Sequence, residues 1–331
     1  MKLVSVSRRI LAAAVCVLGA GIACAAQSIE NYPTRPVRMI VPFGPGGASD
    51  FVGRILQPKL SEVLGVQLVV DNRTGADGNI GVEVAARANP DGYTMLLGNV
   101  GTMVINPSVY PKFPVRPMRD LIGLTLVTDL PGAIAINPSI PASTLKEFVD
   151  YAKARPGKLN HGSAGTSSAT RLAFEYLMNK VGISLMHIPY KTGAGGATIA
   201  LLGGEVAASS LTVASFLPYV KSGRLKVLAV QAPNRIPQLP DTPTLIELGF
   251  PELEIGSWQG IYVPARTPEP IVNKLHSAVM KVMADPWVIE RLANGGAVVV
   301  TSKSRAEFGA FMKTQTEFWA KLVKQAGAVG G

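Results

Sequence analysis

A chain of 331 residues with two cysteines, three histidines and a formal charge of +10 at pH 7 has neither the thiol count for a disulfide scaffold nor the His/Cys spacing for a metal site. Its basic balance draws anions, yet the lysines and arginines are scattered singly and aromatics make up 6% of the residues. No basic stripe with stacking rings points to nucleic acid.

The first element is a leader. Lys2, Arg8 and Arg9 precede an apolar stretch from Ile10 to Ala23 that ends in small residues, which reads as an export signal with cleavage after Ala25 or Ala26. The Arg8-Arg9 pair leaves Sec and twin-arginine export both open, and Cys24 as a lipidated residue is disfavoured by Gly21 at the lipobox position. Removal of residues 1–26 takes away Cys16 and Cys24 and lowers the formal charge from +10 to +7. About 305 residues remain, which fits two domains better than one core. No later run is long or apolar enough to span a bilayer.

From Val37 onward, short β-branched runs alternate with helix-patterned segments. "VRMIV" leads to a helix over Phe51 to Leu64, "QLVV" to one over Asn79 to Ala88, and "YTMLL" follows the turn at Pro90-Asp91-Gly92. "AIAIN" opens a second series: helix "LKEFVDYAKARPG", strand "LNHGSAG", helix Thr170 to Val181, then "LMHIPY", "TIALLGG", "EVAAS" and "LKVLAV". The proline-marked stretch Pro233 to Thr244 breaks this alternation. "GIYVP", a helix from Ile271 to Met283, a helix from Trp287 to Asn294, "AVVV" and a helix from Arg305 to Lys324 close the chain. Such alternation predicts an α/β protein with mainly parallel sheets flanked by helices. Along the last helix, Phe308, Phe311, Phe318 and Leu322 predict a core-facing stripe.

Four turns that leave predicted strands consist almost wholly of small residues: Gly44 to Asp50, Gly98 to Thr102, Ser163 to Ser168 and Thr192 to Gly196. Small residues let backbone approach a ligand, and the free amides of a following helix carry partial positive charge. Two such turns in each series would clasp a small anion from both sides. Enzyme motifs fail by contrast. "GPGGAS" lacks the Lys-Ser/Thr of a phosphate loop, "GAGGAT" lacks the acid of a dinucleotide site, and "HGSAG" lacks the first glycine of a nucleophile elbow. His161, His187 and His276 share no paired-ligand spacing.

The segments "YPTRPVRMIVPFGPGGASD", "NRTGADGNIG", "NPDGYTMLLGN", "PGKLNHGSAG" and "HIPYKTGAGGATIALLGGEV" together resemble the Bug family, periplasmic solute-binding receptors of tripartite tricarboxylate transporters. The resemblance covers essentially the whole chain after the leader. It implies a two-domain periplasmic-binding-protein (Venus flytrap) fold, with domain one from Gln27 to about Thr128 plus about Pro251 to Gly331 and domain two between, over 129–250. It also implies a non-catalytic protein that binds a small organic carboxylate in the interdomain cleft, without cofactor or metal, and delivers it to the membrane subunits of the transporter. A periplasmic sensor feeding a signalling partner is the alternative. We expect a monomer with no nucleic-acid partner.

Carried over by position, Phe43, Gly46, Ala48, Ser49 and Asp50 fall on the first-domain loop, with Asn99 and Thr102 on its neighbour. Ser163, Thr166, Ser167 and Ser168 match the helix-start loop of domain two, and Tyr190, Thr192, Gly193 and Ala194 its next turn. Leu211 stands where many relatives carry an aspartate that pairs with a ligand amine, which argues against an amino-acid ligand. Arg171 replaces a common histidine, and whether it faces cleft or solvent stays open.

Overall fold

The computed structural model describes residues 31–110, 112–113, 115–253 and 256–326, so the predicted leader and its cleavage site lie outside the described residues. Eleven strands among these residues form two sheets. The first has the order β11-β4-β10-β3-β1-β2, built from β1 (Val37–Val41), β2 (Leu68–Asn72), β3 (Thr94–Asn99), β4 (Leu121–Asp129), β10 (Gln259–Pro264) and β11 (Val298–Val299). The second has the order β7-β6-β8-β5-β9, from β5 (Gly132–Ile136), β6 (Asn160–Ser163), β7 (Met186–Pro189), β8 (Ala208–Thr212) and β9 (Lys226–Gln231). The chain passes from the first sheet to the second between Asp129 and Gly132, and returns between Gln231 and Gln259. Each sheet with its helices is one lobe.

The sheets are mixed rather than mainly parallel. β1 pairs parallel with β2 and β3, and β6 with β7 and β8. β10 runs antiparallel to both β3 and β4, β11 to β4, and β5 to both β8 and β9. The antiparallel strands include those that carry the chain between lobes: β4 leads straight into β5, and β10 brings it back. A strand that arrives from the other lobe need not run in the direction that a local βα crossover imposes on its neighbours.

In β1, Val37, Met39, Ile40 and Val41 are all fully buried, the apolar run expected of a parallel strand covered on both faces. The helix Ala48–Leu64 buries Val52, Leu56, Leu60 and Leu64, one face at four-residue spacing. It ends at Gly65, whose left-handed φ of 71° lets its amide reach the carbonyls of Ser61 and Glu62. Truncating a fully buried residue such as Leu56 removes packing worth about 2–5 kcal/mol.

The last helix, Arg305–Ala326, shares Phe308 with the predicted stripe but turns Phe318 outward, and the side chain of Leu322 lies outside the described residues. Phe308, Met312, Trp319 and Val323 are buried, Phe311 packs at the margin, and Phe318 is 51% exposed. Both sets recur with helical periodicity. The buried set wins because Trp319 and Trp258 both donate their indole N–H to Gln315 Oε1, at 3.1 and 3.0 Å, which fixes the helix rotation.

Candidate functional site

The C-terminal ends of β1, β3, β6 and β8 carry the turns that face the gap between the lobes, where open α/β sheets place their ligands. After β1 the chain turns through Gly44 to Gly47 before its helix starts. The turn is fastened by Asp50, whose Oδ2 accepts the Gly46 N–H at 3.0 Å and Arg54 Nε at 2.9 Å, while Oδ1 accepts Asn72 Nδ2 at 3.1 Å. Burial pushes the Asp50 carboxyl up, but the bonds from Arg54, Gly46 and Asn72 outweigh it and hold it below its ordinary value. Gly46 has φ +79°, a conformation that side chains disfavour.

Four helices begin at this gap: Ala48–Leu64, Ala169–Val181, Ala194–Gly203 and Val213–Lys221. None has a side-chain cap, although Ser168 and Thr212 stand at two of the cap positions. Ser168 Oγ is bonded to Thr170 Oγ1 at 3.0 Å and Thr212 Oγ1 to Ser215 Oγ at 3.1 Å. Away from the gap the helices are of both kinds: Thr144 accepts from Glu147 N and Asp285 from the amides of Trp287 and Val288, whereas Asn79–Ala86 and Glu269–Met283 have no side-chain cap. Helix starts without caps leave amide donors and positive partial charge for something else to satisfy.

The lobes meet around the gap. The Gly44 N–H donates to the Thr192 carbonyl at 3.2 Å, and the Ser167 N–H donates to Asp77 Oδ2 at 3.2 Å. Between these contacts lies a cleft in which a water molecule's centre has about 60 Å³ of free space. One buried water takes roughly 10–15 Å³ on that measure, so the cleft suits a small metabolite. Asp77 is the one charged side chain among the described residues that line it.

Of the predicted residues, Phe43, Ala48, Ser49 and Asn99 line the cleft from the first lobe, and Ser167, Ser168, Ala194 and Leu211 from the second. The others stand behind them. Gly46 and Asp50 shape the first turn, and Thr102 shares reciprocal bonds with Asn99, its N–H donating to Asn99 Oδ1 at 3.0 Å. Thr192 and Gly193 make the interlobe contact with Gly44 and Phe43, and Tyr190 N–H donates to the Ser163 carbonyl at 3.1 Å. Thr166 gives its carbonyl to Arg171 Nη1 at 2.5 Å. Ser163 is fully buried, with Oγ 2.6 Å from His187 Nε2 and accepting the Gly165 N–H at 3.2 Å.

Sequence reasoning missed Asp77, Thr170, Thr212 and Ser257 as lining residues. The "GADGNIG" motif was visible, but nothing in its letters shows that Asp77 reaches the opposite lobe. Arg171 settles between the two alternatives. It is 11% exposed, its guanidinium turned away from the cleft onto Glu175, with Nε 2.8 Å from Oε1, and onto the Thr166 carbonyl.

Behind the second-lobe turn, His161 and His187 stack at 5.0 Å between ring centroids. Burial, the adjacent His187 and the Arg171 charge push His161 down to about 3, and burial with Arg171 pushes His187 down to about 4. Both rings are neutral at pH 7, which suits a packed pair. No cluster of His, Cys, Asp and Glu able to hold a metal occurs among the described residues, and no described helix is long and apolar enough to cross a membrane.

Two α/β lobes joined by crossing strands, with a cleft at their strand ends, define a periplasmic-binding-protein fold. The sequence profile described as "Tripartite tricarboxylate transporter family receptor" matches residues 52–328. BugT of Bordetella pertussis (strain Tohama I) is 33% identical, over 98% of this chain and 99% of its own. The solved periplasmic binding protein BugD is 37% identical, with a TM-score of 0.86 over 90% of this chain and 99% of that one. MatC from Rhodopseudomonas palustris, solved with bound malate, is 30% identical, with a TM-score of 0.83 over 88% of this chain and all of its own. The chain belongs to the tripartite tricarboxylate transporter receptor family.

Proposed function

We propose that this protein is an exported, non-catalytic receptor that captures a small carboxylate-bearing metabolite by closing two lobes around it. The carrying observation is the convergence of four uncapped helix starts on one cleft. Such donors satisfy a carboxylate without a charged side chain, and they recognise the anion while the walls select the rest of the molecule. Domain one comprises residues up to about Thr128 and from about Pro251, and domain two the segment between, with the hinge at the two crossings. A ligand gripped by both lobes biases the open and closed equilibrium by the contacts it makes only in the closed form.

The malate bound in MatC, from the same family, supports a carboxylate as the recognised group. We place the working protein in the periplasm after cleavage near Ala25 or Ala26, with the membrane subunits of a tripartite tricarboxylate transporter as its partner. A thermal-shift panel of small organic acids on the mature protein, followed by calorimetry, tests the reading. Saturable binding without turnover supports it; the absence of any stabilising acid contradicts it.

A further inference from the structure

Asp77 sits in a short turn, Ala76–Gly78, where Ala76 and Asp77 hold φ values of 47° and 54°. Two consecutive side-chain-bearing residues in the left-handed region persist only where their surroundings demand it. Asn106 supplies part of that demand, its Nδ2 donating to the Asp77 carbonyl at 3.0 Å and to Asn79 Oδ1 at 2.7 Å. The Tyr110 hydroxyl supplies another, donating to Asp77 Oδ2 at 2.7 Å. Burial, and then this bond to Asp77, push the Tyr110 phenol well up, so it remains a donor.

Held this way, the carboxylate crosses to the other lobe. Its Oδ2 accepts the Ser167 N–H at 3.2 Å and lies 3.4 Å from Ser167 Oγ. The opposite wall makes room for it: a Cβ on Gly165 would lie 2.2 Å from Asp77 Oδ1, and Gly165 itself has φ +129°. Ser167 lies at the entry to the helix Ala169–Val181, among the donors that a ligand carboxylate would seek in the second lobe. A carboxylate of the chain itself already sits on the Ser167 donors. No cationic side chain among the described residues lines the cleft to offset a further negative charge beside it.

We propose that Asp77 sets the ligand class of the cleft. It occupies the Ser167 donors on the second-lobe wall, so the cleft takes acids with one carboxylate, held at the first-lobe helix start, and a hydrogen-bond donor at the end beside Asp77, a hydroxyl or an ammonium group. A second carboxylate at that end would face the Asp77 carboxylate, and like charges at close range disfavour each other. The inference rests on the carboxylate-capture reading above.

The test is calorimetry with acids matched in length: succinate against 4-hydroxybutyrate and 4-aminobutyrate, and adipate against 6-hydroxyhexanoate and 6-aminohexanoate. The wild-type protein is expected to bind a hydroxy or amino acid at least tenfold more tightly than the dicarboxylate of the same length. Asp77→Asn keeps the shape and tolerates the left-handed turn, and is expected to narrow that ratio at least tenfold by gaining dicarboxylate affinity. Asp77→Gly removes the same charge should the asparagine variant fail to fold. A dicarboxylate that binds wild type as tightly as its matched acids, or a ratio unmoved by removal of the charge, overturns the proposal and leaves carboxylate capture standing. If no acid binds either protein, capture itself fails, and this inference with it.

Discussion

Asp50 Oδ2 accepts the Gly46 N–H and Arg54 Nε together, so one carboxylate ties the first glycine turn to the helix that follows it. Asp50→Ala leaves these donors and Asn72 Nδ2 without their acceptor. The expected cost is about 1–3 kcal/mol in stability at pH 7, with weaker ligand binding because the turn loses its fastening. Since the folded carboxyl is held below its ordinary value, this contribution is present above that ordinary value and is lost as pH falls through the folded one. Chemical denaturation at pH 7 and in acid checks both parts; an alanine variant as stable as wild type would refute the fastening role.

Gly195 lies against the first lobe, where a Cβ would be 2.6 Å from the Pro45 carbonyl oxygen. Gly195→Ala lies in the helix Ala194–Gly203 and favours that helix by up to about 1 kcal/mol. The variant should therefore fold normally while its lobes stay apart. With an acid that stabilises the wild-type protein, the expected affinity loss is tenfold or more, and small-angle scattering should show no compaction on addition of that acid. Wild-type affinity in this variant would mean that the lobes need not approach as described.

The stacked pair His161 and His187 makes stability depend on pH. Both rings are pushed below their ordinary value near 6.5, to about 3 and about 4. Between pH 6.5 and about 4 the unfolded chain binds protons that the folded chain refuses, so stability falls as pH falls through that window, by on the order of a few kcal/mol for a coupled pair. His161 is packed edge-on to Phe174, and neither of its ring nitrogens has a hydrogen-bond partner among the described residues. His161→Phe should flatten the decline, as read by thermal unfolding from pH 7 to 4. An unchanged slope would remove His161 as its source.

Ser163 bonds to His187 and to the Gly165 backbone rather than lining the cleft. Ser163→Ala is expected to cost about 1–3 kcal/mol of stability, because a buried donor and acceptor lose their partner, with ligand affinity changed less than threefold. A tenfold loss of affinity at unchanged stability would give Ser163 a direct role in binding.

Much of this architecture was legible. The strands "VRMIV" and "YTMLL", the glycine turns after them and the start of the second series at "AIAIN" match β1, β3 and β5 because turn residues and β-branched runs report local backbone preference. The nine-residue β4, Leu121–Asp129, passed unnoticed: its apolar residues fall on both faces, which reads equally well as a buried helix. The antiparallel course of β10 depends on the return from the other lobe, and no local pattern encodes it. At the site, half of the predicted residues line the cleft because the turns that carry them were recognisable. Ser163 and Asp50, expected beside the ligand, stand behind the cleft lining: a polar side chain beside a glycine turn serves equally well as ligand donor or as scaffold, and its letters do not tell which. Asp77 was missed for the converse reason, since its partners Ser167 and Tyr110 lie 90 and 33 positions away.

The most direct measurement is a crystal structure of the mature protein grown with an acid that stabilises it. The account expects a carboxylate seated against the amides that open the helix at Ala48, enclosed by the second-lobe turns around Ser167 and Ala194. A guest found outside the gap between the lobes, or one whose carboxylate contacts none of those helix starts, would contradict it.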